Sequence, residues 1–273
     1  MPELPEVETI ARGLAKRITG DVVESVWLGR KKEPLKSPAS EIAAVLEQSR
    51  ITSVHRMGKH IVFDLDRQKL DRQKKESQWI VHLGMTGRLQ VCDPQAEIAK
   101  HTHAILKLSS GRELRFVDPR RFGRLSVATA GFDATGIEPL EIDLERFIGL
   151  FRGRKTPIKS ALLNQKLLRG VGNIYADESL FRAGIRPKRR AATIPGEKLT
   201  KLHTAVKEVL KDAIALGGSS VSDYVNADGE AGFFQLEHRV YGREGEPCLT
   251  CKTPIKRLVI AGRSSHYCPK CQK

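Results

Sequence analysis

Four of the five cysteines of this 273-residue chain stand in its last 26 positions, and their spacing dictates how that end must fold. Cys248-x2-Cys251-x16-Cys268-x2-Cys271 falls within the zinc-ribbon range. Four thiolates close a tetrahedral shell with no open position, so a Zn2+ held there is structural and not catalytic. Between the two pairs, 255–260 and 265–267 read as strands of a hairpin. Its expected tip, Ala261-Gly262-Arg263-Ser264, presents Arg263, although a merely solvated arginine has the same spacing. Cys92 stands alone in a strand-like run and reads as an inert core thiol.

Ahead of the finger the hydrophobic period changes twice. Leu4, Val7, Ile10, Ala11, Leu14 and Ile18 recur at helical spacing from about Glu3. From Val22 to about Thr129 the period is two, with strands expected at 22–28, 51–65, 78–92, 104–108 and 114–116 and a short helix at 41–48. Ser109-Ser110-Gly111 is a hairpin turn. Helical spacing returns at 141–151, 158–168, 173–183 and 197–216. The fold class is therefore α+β: an N-terminal antiparallel β-sandwich closed by the first helix, then helices, then the finger. Domains are expected at 1–130, 131–235 and 236–273. The run Leu65-Asp66-Arg67-Gln68-Lys69 is repeated at once as 70–74 and reads as a duplicated exposed loop. Residues 217–232, rich in Gly, Ser, Asp and Asn, are expected to form a mobile loop.

The first six residues, Met1-Pro2-Glu3-Leu4-Pro5-Glu6, carry the strongest chemistry. Removal of Met1, usual when proline follows, leaves a secondary amine whose ordinary pKa is about 8. Such an amine condenses with an aldehyde carbon to give an iminium. Glu3 and Glu6 lie one helical turn apart at the positive end of the helix dipole. Proline and glutamate are also ordinary helix-start residues.

Charge narrows the partner. With 47 basic against 32 acidic residues the formal net charge is +15, and the pI is near 9.8. A polyanion, most simply nucleic acid, is the expected partner, although a ribosomal or membrane-surface role carries similar charge. No apolar run approaches membrane-spanning length and the acidic start does not resemble a signal peptide, so a cytoplasmic protein is expected. Arg56-Met57-Gly58-Lys59-His60 sets a lysine beside a glycine in mid-strand, where another chain or a ligand can approach closely. In Asp118-Pro119-Arg120-Arg121-Phe122-Gly123, arginines suit guanine or phosphate and the phenylalanine suits a wedge between bases. Gly170-Val171-Gly172-Asn173, with Lys155, Lys159, Lys166 and Arg169 nearby in sequence, reads as a phosphate-binding turn at a helix start.

Taken in order along the full length, these motifs resemble formamidopyrimidine-DNA glycosylases, bacterial base-excision repair enzymes for oxidised purines. The resemblance implies a β-sandwich, a helix-two-turns-helix domain and a zinc finger acting as a monomer on double-stranded DNA. It implies Pro2 as the nucleophile at C1′, Glu3 as the acid/base group and Glu6 as support for the opened sugar. Lys59 and Arg263 would serve β- and δ-elimination. His101, Arg120, Arg121, Lys155, Lys159 and Asn173 would contact DNA, and Met85, Arg120 and Phe122 would fill the hole left by the extruded base. The enzyme would be associated with the bacterial nucleoid while acting. One departure concerns base recognition: relatives often carry a basic residue near Ser222. Two other readings stay open: an endonuclease VIII-type enzyme for oxidised pyrimidines, and a non-catalytic zinc-ribbon protein binding nucleic acid. Leu4, where the endonuclease VIII branch usually has glycine, and the Arg120/Phe122 loop speak against the first.

Overall fold

A computed structural model describes residues 1–67, 75–129, 131–220, 225–227 and 229–273. The second copy of the pentapeptide repeat and the centre of the expected mobile loop therefore lie outside the described residues. The chain divides into two units: Met1–Ala134 with Gly217–Gly232, and Thr135–Leu216 with Phe233–Lys273. The 217–232 segment thus groups with the N-terminal unit, and the finger with the helices. No helix among the described residues is long and apolar enough to cross a membrane.

The first unit opens with α1 (Leu4–Ile18), whose periodic residues Leu4, Val7, Ile10, Ala11, Leu14 and Ile18 are all buried. There follow β1 (Val23–Leu28), α2 (Ala39–Leu46), β2 (Arg50–Met57), β3 (His60–Arg67), β4 (Lys75–His82), β5 (Arg88–Cys92), β6 (Thr102–Leu108), β7 (Glu113–Val117) and β8 (Arg124–Ala128). They form two four-stranded sheets, in the orders β1-β6-β7-β5 and β2-β3-β4-β8. Every ladder in both sheets is antiparallel. One core runs through α1, α2 and both sheets. At its centre Phe63 and Trp79, directly opposed on β3 and β4, stack with ring centroids 4.7 Å apart. Such cross-strand aromatic pairs help hold the register.

Two expected strands are each divided in two: the first is a hairpin, and the second passes from one sheet to the other. The 51–65 run folds back at Gly58-Lys59, because Gly58 takes φ +60° and Met57 pairs with His60. Lys59 is therefore a turn residue and not a mid-strand one. The 78–92 run breaks between His82 and Arg88, where Gly84 takes φ +65° and the Gly87 N–H returns to the Leu83 carbonyl at 2.9 Å. Cys92 ends β5 half-buried and not in the core, with its thiol pKa raised chiefly by burial.

The second unit contains α3 (Leu144–Phe151), α4 (Ile158–Leu162), α5 (Asn173–Arg182), α6 (Gly196–Ala215) and the hairpin β9 (Lys256–Ile260) and β10 (Arg263–Tyr267). The expected 158–168 helix stops early: Asn164 caps a turn by accepting the Lys166 N–H at 3.0 Å. Arg263 is the first residue of β10, paired with Ile260, so the tip itself is only Ala261-Gly262.

One feature of this unit corrects an expected DNA contact. Lys159 is fully buried, its ammonium 2.7 Å from Asp177 of α5 and donating to the Ser264 carbonyl of β10 at 2.7 Å. A side chain with no exposed surface cannot meet a phosphate, so Lys159 is a structural cation. Asp177 in turn accepts the His266 N–H at 2.8 Å. Removing one partner of such a pair strands the other charge in a dry site, typically at about 3–5 kcal/mol. Lys159→Ala should therefore lower the unfolding free energy read from urea titration by an amount in that range. Lys159→Met combined with Asp177→Asn, which removes both charges but keeps an acceptor for His266, should recover most of it. Equal loss in the double variant would show that charge stranding is not the cause.

Candidate active site and nucleic-acid interface

The start of α1 is built from its own carboxylates. Glu3 is the N-cap, and its N–H donates to Glu6 Oε2 at 2.8 Å in a reciprocal capping box. Glu3 and Glu6 are only 3% and 2% exposed, while Pro2 is half-buried just outside them. The positive helix end favours carboxylates at this position. Glu6 also accepts the Ser219 N–H at 2.8 Å, although 213 residues separate the two. Gly218, at φ +83°, leaves no space for a side chain: a Cβ there would lie 2.9 Å from Glu6 Oε1. Glu6 thus ties the first residues of the chain to the root of the 217–232 segment. Nothing in the sequence signals that tie.

Lys59, 8% exposed, sits in the β2–β3 turn. Arg56 fixes this turn to α1, donating to Glu8 at 2.7 Å and to the Gly58 carbonyl at 3.2 Å. Burial pushes the Glu8 carboxyl up, but Arg56 and then Arg12 outweigh it and leave the pKa below the ordinary value. Sequence reading missed both Glu8 and Arg56. On the next strand His82 faces His60 at 5.0 Å, and Phe132 lies 5.1 Å from His60. Burial, followed by His60, Arg124 and Lys59, lowers the His82 pKa to about 4. Burial likewise lowers that of His60. The surroundings of Lys59 therefore include neutral imidazoles and no added histidine charge.

Two exposed turns of the same unit carry the candidate wedge residues. Met85, 40% exposed, projects from the β4–β5 turn, and Phe122, 53% exposed, from the β7–β8 turn. The Arg120 guanidinium lies 4.8 Å from the Phe122 ring centroid, a cation–π contact. Arg121 is exposed at φ +56°. His101 is exposed at φ +70°, and its carbonyl accepts the Asp118 N–H at 3.0 Å, which places it beside the β7–β8 turn.

In the second unit, α5 starts at Asn173, directly after Gly170-Val171-Gly172. Asn173 Oδ1 is buried and has no hydrogen-bond partner among the described residues, an acceptor left over at a helix start. Lys155 is exposed ahead of α4. Farther along α5, buried Glu178 accepts three successive backbone N–H groups, from Arg239, Val240 and Tyr241, at 2.9–3.0 Å. Burial nevertheless raises its pKa. Glu178 anchors the chain ahead of the four cysteines and Asp177 anchors β10 between them, and Arg263 stands exposed where β10 begins.

The four finger cysteines are free thiols whose sulfurs all lie within 4.8 Å of one another. Cys248 and Cys271 are 3.9 Å apart, and Cys251 and Cys268 are 3.4 Å apart. Ligands about 2.3 Å from a tetrahedral zinc sit about 3.8 Å from each other. The donor set fits one structural zinc.

The His82 pKa has a consequence for stability. The unfolded chain takes up a proton at His82 below its ordinary value of 6.5, the folded one only below about 4. Its contribution is therefore complete above pH 6.5 and lost as the pH falls toward 4, on the order of 3 kcal/mol. Urea titrations between pH 7 and 4.5 should show this slope in the wild type and a shallower one in His82→Gln. Identical slopes would remove His82 from the acid sensitivity.

Three family models match in series: the formamidopyrimidine-DNA glycosylase N-terminal domain at residues 1–125, the formamidopyrimidine-DNA glycosylase H2TH domain at 136–225, and a zinc finger found in FPG and IleRS at 245–273. A formamidopyrimidine-DNA glycosylase of Solibacter usitatus is 46% identical over 280 residues, with both chains covered completely. The crystal structure of the MutM (FPG) protein from Thermus thermophilus superposes with a TM-score of 0.86 at 41% identity, covering 99% of this chain and 98% of that one. Lactococcus lactis Fpg has been solved as a mutant with DNA containing Fapy-dG and as the wild type with DNA containing an oxidized pyrimidine. These superpose with TM-scores of 0.89 and 0.88 at 32% identity, with full coverage of both chains. Related from its first residue to its last, the chain belongs to the formamidopyrimidine-DNA glycosylase family.

Proposed function

We propose that this protein is a bifunctional DNA glycosylase and abasic-site lyase that removes oxidised purines, 8-oxoguanine and formamidopyrimidines, from duplex DNA. The observation that carries this reading is Pro2 standing beside the buried Glu3 at the positive end of α1 in a chain of this family. With Met1 removed, the Pro2 nitrogen attacks C1′ and the damaged base departs, while Glu3 protonates the sugar ring oxygen as the ring opens. The resulting iminium acidifies C2′, and loss of that proton expels the 3′ phosphate; a second elimination expels the 5′ phosphate. Lys59 serves the eliminations from the β2–β3 turn, and Arg263 serves them from the start of β10.

Glu6 acts by holding Glu3 and Ser219, consistent with the two N–H groups it accepts. DNA contacts come from His101, Arg120, Arg121, Lys155 and Asn173, with Met85, Arg120 and Phe122 filling the space of the extruded base. Lys159 is left out of that set. Zinc bound by Cys248, Cys251, Cys268 and Cys271 supplies a cross-link, not chemistry, and so stiffens the hairpin that bears Arg263. As functional parts, 1–130 supplies the nucleophile, 131–235 grips the duplex and 236–273 delivers Arg263. The protein works as a cytoplasmic monomer.

Borohydride reduction tests the covalent step. The processed enzyme should be trapped on duplex DNA containing 8-oxoguanine, and a preparation with an acylated N-terminus should bind without being trapped, because an amide nitrogen has no nucleophilic lone pair. Trapping by a blocked preparation, verified by mass spectrometry, would remove Pro2 from the mechanism.

Opposite-base preference tests the lesion class. Cytosine offers O2 and N3 as acceptors to Arg120, whereas adenine offers only N1 beside an amino donor. Single-turnover excision of 8-oxoguanine should be about ten- to hundredfold faster opposite cytosine than opposite adenine. Arg120→Ala should narrow that gap. An oxidized-pyrimidine duplex belongs in the same series; faster excision there, with indifference to the opposite base, would favour the endonuclease VIII-type reading.

A further inference from the structure

The two turns bearing Met85 and Phe122 share one buried carboxylate. Asp118, 0% exposed, follows β7. Its Oδ1 accepts the Thr86 hydroxyl at 2.6 Å, and its Oδ2 accepts the Gly123 N–H at 2.8 Å. One oxygen therefore holds the Met85 turn and the other closes the Phe122 turn. The Thr86 hydroxyl also accepts the Arg120 N–H at 3.3 Å, so it is bonded on both sides. Behind these bonds the backbones are in contact: a Cβ on Gly84 would fall 2.5 Å from the Phe122 carbonyl carbon. Two imidazoles brace the assembly from outside. His103 Nε2 lies 2.9 Å from the Asp118 carbonyl and donates to it, and the Gly84 N–H donates to His82 Nδ1 at 3.1 Å.

We propose that the Asp118–Thr86 pair makes the two turns a single rigid wedge, so that Met85 and Arg120–Phe122 enter the duplex together. Thr86 and Asp118 are positioning residues: neither meets the reacting sugar. The proposal rests on the reading that Met85, Arg120 and Phe122 fill the space of an extruded base. Its physical basis is preorganisation. An exposed methionine and phenylalanine on independent turns would each lose freedom on insertion, whereas turns already fixed to one another have less to lose. Because the link is a hydroxyl-to-carboxylate hydrogen bond, removing one oxygen atom breaks it without changing side-chain shape.

Thr86→Val is the test, with Thr86→Ser as the rescue. The expected result is about a tenfold slower single-turnover excision of 8-oxoguanine opposite cytosine for the valine variant, with serine close to wild type. Borohydride trapping on a single-stranded abasic oligonucleotide, which has no opposite base and no space to fill, should be unchanged in both. Coupling is read from a double-mutant cycle: Met85→Ala and Phe122→Ala should be non-additive in the wild type and additive in the Thr86→Val background. Wild-type excision by the valine variant, an equal loss on the single strand, or unchanged coupling would each overturn the proposal. If the wild-type enzyme is itself never trapped, the proposed function fails and the wedge falls with it. If it is trapped and only the Thr86 effects are missing, the wedge alone fails.

Discussion

The chemistry proposed for this protein depends on keeping a chain terminus still, and one buried carboxylate does most of that work. The first residues of a domain ordinarily fray unless something ties them down. Here Glu6 accepts the Glu3 N–H with one oxygen and the Ser219 N–H with the other. The helix itself is held in the core by its periodic face from Leu4 to Ile18. Pro2, half-buried, is thereby attached to a fixed point.

The same device recurs at each place where a functional residue needs an address. Asp118 accepts from Thr86 and Gly123, next to Met85 and Phe122. Asp177 accepts from His266, close to Arg263, while Glu178 accepts from three residues ahead of the finger. Desolvating a carboxylate costs several kcal/mol, and two or three N–H or O–H donors offset that cost only if their geometry is held. A carboxylate that needs its donors in turn fixes the segments that supply them. Lys159 completes the pattern from the cationic side, buried between Asp177 and the Ser264 carbonyl. In a chain with net charge +15, these acidic groups are withdrawn inside, which leaves a basic exterior suited to a polyanion.

Local features were legible in the sequence because their physics is local. The α1 face follows a period of 3.6, the finger follows ligand spacing, and the glycine turn before Asn173 follows backbone freedom. The turn at Gly58-Lys59 was obscured because β-branched and apolar residues flank it on both sides, so composition ran through it unbroken. The short strand β8 (Arg124–Ala128) escaped because five residues after a glycine carry too little pattern. Helix α4 was overextended because Leu167 and Leu168 keep apolar spacing, while the turn that follows the helix is closed on Asn164, whose side chain accepts from Lys166 and whose carbonyl accepts from Leu167 and Leu168.

Sequence alone determined the α+β class, the nucleophile candidate at Pro2, the metal-binding quartet and the basic character that suits a polyanion. Tertiary structure alone decided which of two similar lysines faces outward. Lys155 and Lys159 carry the same charge four residues apart, yet one is exposed and the other is sealed against Asp177. It also decided that Glu6 holds Ser219 and that Asp118 joins two turns. The reason is physical: period and ligand spacing are set by neighbours along the chain, whereas the partner of a buried charge is set by which distant segments the core brings together.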